Sequence, residues 1–307
     1  MILVTGGLGM IGAHTAAALA DLGEDVVATG HRTLDVPPFL RDRDRVRVES
    51  LDVADPVAVR ALGERFAFTG IVHLAGTIPE ADPIGFFRRD LAGLLTMLDA
   101  ARTWGVRRFA VASSIGVYAG RPERPWTEEL ALPLADPPHA IVALKKAAEP
   151  LTLFALADTD VQPLLLRIGS TWGPLMDPES PFNPVPSLVS AVLRGERPPS
   201  LPDGGGDFAY ARDTGRAIAL LLTAPALAHT AYNVSSGVPR TNREIADALV
   251  EALPGSAVEV EGGGGAGAEE EPYLDVSRLR EATGFAPEFD PAAAVADYVA
   301  WRRENPR

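Results

Sequence analysis

The chain has no cysteine, so it has no disulfide framework, no thiol nucleophile and no cysteine-ligated zinc or iron–sulfur site. Lysine is nearly absent as well: of 28 basic residues only Lys145 and Lys146 are lysine, and the rest are arginine. Positive charge is outnumbered, with 41 acidic residues and a formal net charge of −13. Such a balance argues against a nucleic-acid or anionic-membrane partner. The five histidines (His14, His31, His73, His139 and His229) show no paired metal spacing, so no metal site is expected. Long hydrophobic runs are missing too. The longest apolar stretch, around 217–228, is broken by Thr223 and Pro225 and is too short to span a bilayer. The opening MILVTGG has no basic segment ahead of its apolar run, and a cytoplasmic protein is expected.

What is present is an alternation. Short apolar runs at 2–5, 25–29, 46–51, 70–74, 108–113 and 161–167 read as strands. Amphipathic stretches at 11–22, 56–66, 91–104 and 141–157 read as helices between them. This order predicts an α/β fold, a doubly wound parallel Rossmann sheet with helices on both faces. Beyond Arg167 proline becomes dense, and helices are expected at 188–194, 213–222 and 242–253. The division expected is a dinucleotide-binding domain over 1–167, with some later segments returning to it, and a smaller C-terminal substrate-binding lobe over 168–307. The stretch 261–271, EGGGGAGAEEE, is too glycine-rich and acidic to pack a core and reads as a mobile loop.

The first strand runs directly into Thr5-Gly6-Gly7-Leu8-Gly9-Met10-Ile11-Gly12 and then a helix. Gly6, Gly9 and Gly12 permit a tight turn, close approach of a pyrophosphate and close helix–strand packing. The helix start, at Met10 and Ile11, offers free N–H groups and partial positive charge to that anion. Glycine spacing alone is weak evidence, and its place between a first strand and a first helix is what makes it specific. At the end of the second strand an acidic residue would bind the adenosine ribose. Gly30 stands there instead, followed by His31 and Arg32. A missing carboxylate beside a cation favours a 2′-phosphate, so NADP is expected, with NAD possible as the alternative. Asp52 and Val53 end the third strand, where an aspartate can meet the adenine amino group.

These residues, with Leu74-Ala75-Gly76 after the fourth strand, resemble the extended short-chain dehydrogenase/reductase family of NAD(P)-dependent epimerases and dehydratases. Ala112-Ser113-Ser114 resembles its catalytic-serine strand end, Tyr232–Gly237 and Asp275–Leu279 its C-terminal landmarks. The resemblance implies a Rossmann lobe holding NAD(P), a substrate lobe and a homodimer built on paired long helices. It also implies a Tyr-x-x-x-Lys motif, and here the chain departs. Lys145 and Glu149 match the lysine and the glutamate after it, but Ile141 stands at the tyrosine, and shifting to Lys146 brings only Val142. Isoleucine cannot move a proton. Pro150 further removes a backbone N–H from this helix.

Asp90 replaces the asparagine expected on the preceding helix, Ser170 another asparagine, and Gly206 a diphosphate-binding arginine; a second arginine would fall near Glu269–Glu271. The expected function is an NAD(P)-dependent oxidoreductase, epimerase or dehydratase acting on a small non-nucleotide substrate through an altered proton relay. Ser114, Lys145, His139 and Asp90 are the catalytic candidates, Lys145 doubling as a cofactor ligand. The alternative is a redox-silent dinucleotide-binding sensor or scaffold.

Overall fold

In a computed structural model of the chain, which describes residues 1–79, 82–180, 182–262 and 271–305, seven strands form one parallel sheet. Its first half is β1 (Ile2–Thr5), α1 (Met10–Asp21), β2 (Val26–Gly30), α2 (Pro38–Arg41), β3 (Val46–Ser50), α3 (Pro56–Arg65) and β4 (Gly70–His73). Then follow α4 (Pro83–Trp104), β5 (Arg108–Ser114), α5 (Ala140–Leu156) and β6 (Gln162–Ile168). The second half adds β7 (Thr171–Trp172), α6 (Val185–Leu193), β8 (Gly205–Asp207), β9 (Ala209–Tyr210), α7 (Ala211–Thr223), β10 (Ala231–Val234) and β11 (Pro239–Thr241). It closes with α8 (Asn242–Ala252), α9 (Ser277–Thr283) and α10 (Pro291–Glu304). Most of the expected loop at 261–271 lies outside the described residues.

The strand order is β10-β6-β5-β4-β1-β2-β3. It reverses between β1 and β4, so a crevice opens at the carboxyl ends of those two strands. Nearly continuous apolar strands such as ILVT in β1 are buried on both faces, as a parallel sheet requires. One face is covered by α1, α7 and α9 and the other by α3, α4 and α5. α1 is alanine-rich and buried almost all round. It lies so close to α7 that a side chain at Gly215 would overlap the His14 backbone. A separate apolar core joins α6, α8 and α10 with Trp172 and Tyr210, and Met10 of α1 packs against it.

Two expectations change here. The helix expected from Leu91 starts at Pro83, because Asp82 caps it, accepting from the N–H groups of Ile84 and Gly85, and Pro83 suits the first turn. The same Asp-Pro start opens α3 and α10. The sheet also takes a seventh strand from the second half of the chain: β10 pairs in parallel with β6, Tyr232 opposite Leu166. Four residues of the sequence AYNV are too short for periodicity to declare a strand.

Candidate functional site

The crevice edge is built from the β1–α1 loop outward. Gly6 adopts φ +65°, and a side chain there would stand 2.8 Å from the Ala75 nitrogen, so the loop and the β4 end touch through backbone. A side chain on Gly12 would overlap the Gly6 carbonyl, which ties the helix to the loop. Gly9, at the N-cap of α1, has only the Gly6 oxygen within 4 Å of its would-be Cβ, at 3.4 Å, and opens outward. The first N–H groups of α1, from Met10 to Gly12, have no intrahelical partner. This is a cradle that added side chains would fill, and it fits a pyrophosphate.

Gly7, the first glycine of the overlapping G-x-G-x-x-G reading of this loop, is constrained as well. Its would-be Cβ lies 2.7 Å from the Val4 oxygen and from the Ala28 side chain, fixing the loop against β2.

At the end of β2 the space beside Gly30 is not empty. A Cβ would lie 2.6 Å from the Thr33 oxygen and 2.9 Å from Leu8, because the loop after β2 folds back over it. Gly30 is therefore required by packing and leaves no room for a ribose-binding carboxylate. His31 Nε2 lies 3.6 Å from Asp52 Oδ2, both side chains half-exposed, and Arg32 is exposed. Asp52 also accepts from the Ala54 N–H at 2.9 Å, and Val53 packs toward Gly93 of α4.

Leu74, Ala75 and Gly76 leave β4 alongside β1. Leu74 N–H donates to the Thr5 carbonyl at 3.2 Å and Ala75 N–H to Thr5 Oγ1 at 3.3 Å. Behind them the Thr5 hydroxyl meets Nδ1 of buried His73 at 2.8 Å. Burial, helped by the charge of Lys145, drives His73 down to about 3, so it is neutral. Neither Thr5 nor His73 was among the expected site residues, although His73 ends a strand that was.

Lys145 and Lys146 are adjacent but face different surroundings. Lys145 is half-buried and sits near Asp90 on α4 and His73 on β4; burial pushes its amine down and the Asp90 carboxylate opposes that shift. Lys146 is buried, and its Nζ has no hydrogen-bond partner among the described residues. Of the two, Lys145 is the one whose charge is coupled to Asp90 and His73. Asp90 anchors the loop after β4, accepting from Thr77 N–H at 3.1 Å and Thr77 Oγ1 at 2.8 Å. Ser114 ends β5, its Oγ accepting from Gly116 N–H at 3.1 Å while the hydroxyl hydrogen stays free to donate. His139 is the exposed N-cap residue of α5 and bonds to none of Ser114, Lys145 or Asp90 among the described residues. Ile141 is in the first turn of α5, one turn before Lys145, and α5 continues through Pro150.

Behind this edge runs a buried polar chain. Ser113 Oγ donates to Glu149 at 2.6 Å, and Arg167 grips the same carboxylate with two N–H groups at 3.0 and 2.8 Å. Arg167 also donates to the Tyr118 hydroxyl at 2.9 Å, which donates to Asn233 at 2.8 Å. Burial raises Tyr118 to about 12, with Arg167 opposing. Beyond the carboxyl ends of β6 and β10, Ser170 N–H and Ser235 Oγ donate to buried Asp207, whose carboxyl is pushed up by burial.

The sequence profile of the NAD dependent epimerase/dehydratase family matches residues 2–235, and the chain belongs to that family. It is 28% identical to a dTDP-glucose 4,6-dehydratase of Streptomyces griseus over 99% of this chain and 94% of that one. Among solved structures, a UDP-glucose 4-epimerase of Thermus thermophilus in complex with NAD superimposes with a TM-score of 0.80 at 28% identity, covering 98% of each chain. A UDP-glucose 4-epimerase of Bifidobacterium longum, in complex with NAD+ and UDP, gives 0.83 at 22% identity over 99% of this chain and 98% of that one, a likeness of fold.

Proposed function

We propose that the protein is an NAD(P)-dependent epimerase/dehydratase-type enzyme acting on a nucleotide-linked sugar, as a cytoplasmic homodimer. The single observation that carries the reading is the pairing of an intact dinucleotide cradle, Gly6, Gly9 and Gly12, with a crevice lysine, Lys145. When bound, the dinucleotide takes up and returns a hydride. The free N–H groups at the start of α1 would hold its pyrophosphate, Lys145 would donate to its ribose, and Asp52 would meet the adenine. The absent carboxylate at position 30 and the exposed Arg32 favour NADP, whereas the relatives' structures hold NAD.

The small non-nucleotide substrate expected from sequence gives way to a nucleotide sugar, because the relatives are named for dTDP-glucose and UDP-glucose chemistry. That expectation rested on Gly206 and on an acidic run of which Glu269 and Glu270 lie outside the described residues. Gly206 faces open space, and its direct partner across β8–β11 is Arg240. Paired residues of antiparallel strands project to the same face, so Arg240 presents a guanidinium on the side that Gly206 leaves bare. Arg240 is held by Glu244 at 3.2 Å.

Ser114 is the group placed to donate to a substrate oxygen. With Ile141 at the tyrosine position, the proton has no phenol to receive it, and Lys145 and Asp90 are the nearest ionisable pair. That departure also favours a second reading, a redox-silent dinucleotide-binding sensor. Exposed Leu95 on α4, and Leu151 and Phe154 on α5, supply an apolar surface for a second copy of the chain.

The deciding experiment incubates the protein with NAD+ or NADP+ and either UDP-glucose or dTDP-glucose, following reduced cofactor by absorbance and products by NMR. Turnover that falls at least tenfold in Ser114→Ala establishes the enzyme. Tight dinucleotide binding with no turnover, restored in Ile141→Tyr, points to the silent sensor. Absence of any dinucleotide binding overturns both.

A further inference from the structure

Glu149 lies one helical turn beyond Lys145, on the same helix, and touches none of the crevice. Its Oε1 accepts from Ser113 at 2.6 Å and from Arg167 Nε at 3.0 Å, and its Oε2 from Arg167 Nη2 at 2.8 Å. All three side chains are buried. The connection does not stop there. Arg167 reaches Tyr118, Tyr118 reaches Asn233, and the Asn233 amide donates to the carbonyls of Trp126 at 2.9 Å and Asp275 at 2.8 Å. One continuous buried set therefore fastens α5 to β5, β6, β10 and the segment before α9.

A two-point guanidinium–carboxylate contact fixes both distance and angle, which a single hydrogen bond does not. Its placement coincides with a weak point in the helix. Pro150 follows Glu149 directly and has no N–H, so the Lys146 carbonyl has no helical donor in the turn that presents Lys145. Outward from this turn α5 shows exposed Leu151 and Phe154, while Ala148 and Leu156 on its inner face pack in the core beside β5 and β6. The clamp adds a fixed distance and angle to that packing.

We propose that Glu149, gripped by Arg167 and Ser113, is a positioning residue that sets where the Lys145 Nζ stands on the crevice side of α5. The proposal rests on the reading of Lys145 as a crevice residue of a dinucleotide enzyme. The competing explanation is that the ion pair serves stability alone. Asp90 on α4 is the ionisable group that acts on Lys145, and Lys145 in turn acts on His73 of β4. Glu149 and Arg167 neutralise one another, so the clamp acts by position and not by field.

The chain's two lysines make the test direct. Reductive methylation of the folded protein with 13C-formaldehyde labels its reachable amines, and the signal lost in Lys145→Arg is assigned to Lys145. The main variant is Glu149→Met with Arg167→Met, which removes both charges together and leaves neither unpaired in the interior. Ser113→Ala removes one hydrogen bond without exposing a charge. The double variant is expected to move the Lys145 titration by at least one pH unit toward the ordinary lysine value. Its NADH dissociation constant, measured on unmethylated protein, should rise at least tenfold, and Ser113→Ala should shift both the same way, by two- to threefold in affinity. A double variant whose Lys145 titration and NADH affinity stay within twofold of the parent overturns the proposal, whatever its melting temperature. If the double variant does not fold, unchanged values in Ser113→Ala overturn it instead. Failure of the parent protein to bind NADH would sink the functional reading, while the Lys145 titration still decides the positioning role.

Discussion

The two banks of the crevice are made of different material. On the β1–α1 bank the groups turned toward the opening are backbone N–H groups, and the residues that matter are glycines whose missing side chains keep the space clear. On the β5–α5 bank they are side chains, Ser114, Lys145 and Asp90, each on a different element. Backbone on the first bank tolerates almost no substitution because loop, helix and the β4 end touch directly. Side chains on the second bank can be exchanged while the fold persists, and it is there that Ile141 replaces the expected tyrosine. The difference teaches that packing dictates the residues of the first bank and leaves those of the second free to vary without loss of the fold.

The contrast can be broken by substitution. The largest effect is expected on the first bank: Gly12→Val, driven into the Gly6 carbonyl, should lower NADH affinity more than 100-fold and lower the melting temperature with it. Gly9→Ala, with 3.4 Å to its nearest neighbour, should leave melting unchanged and weaken NADH binding alone. Equal melting losses in the two variants would mean that Gly9 is structural after all. On the second bank, Lys145→Met should weaken NADH binding roughly tenfold or more while the protein stays folded, since a charge-assisted hydrogen bond contributes about 1.5–3 kcal/mol. Lys146→Met should do the opposite, binding NADH as before and gaining about 1–3 kcal/mol against urea, because it removes a buried amine without a partner.

Acid should test the interior that both banks share. His14 and His73 are lowered from 6.5 to about 3, chiefly by burial. The unfolded chain takes up protons below pH 6.5 while the folded chain does not. Their contribution is therefore full above pH 6.5 and is lost as pH falls toward 3, by about 1.4 kcal/mol per pH unit for each histidine. Urea midpoints of the parent and of His73→Asn, compared at pH 7.5 and 5.5, should show the smaller loss in the variant. An equal loss would mean that His73 is protonated in the folded state. The smallest effect is expected at the rim, where Arg32→Ala should reduce the preference for NADPH over NADH by roughly three- to tenfold, as an exposed charge–phosphate contact allows.

The first bank was legible in the sequence because its requirements are steric. A glycine at positions 6, 9 and 12 between a strand and a helix has few other reasons to exist. Six strands were legible for a similar reason, since apolar runs alternate with helical periods. The short AYNV strand was not, because its place in the sheet is set by pairing with β6 and not by pattern. The second bank was legible only by resemblance. Register with Glu149 brought Lys145 forward over Lys146, and the folded chain adds that the Lys146 amine is buried without a hydrogen-bond partner among the described residues. Nothing local tells that Gly30 is hemmed in by Thr33, or that Arg240 stands opposite Gly206, since both facts depend on chain folding back on itself.

The place of β10 has a consequence for how the molecule is born. When β6 leaves the ribosome its outer hydrogen-bonding edge has no partner, and the strand that covers it ends at Val234, more than sixty residues later in the chain. Until then a growing chain carries a long apolar strand, PLLLRI, with one open side. A rare-codon pause placed across α6 and α7 is therefore where newly made chains should aggregate most.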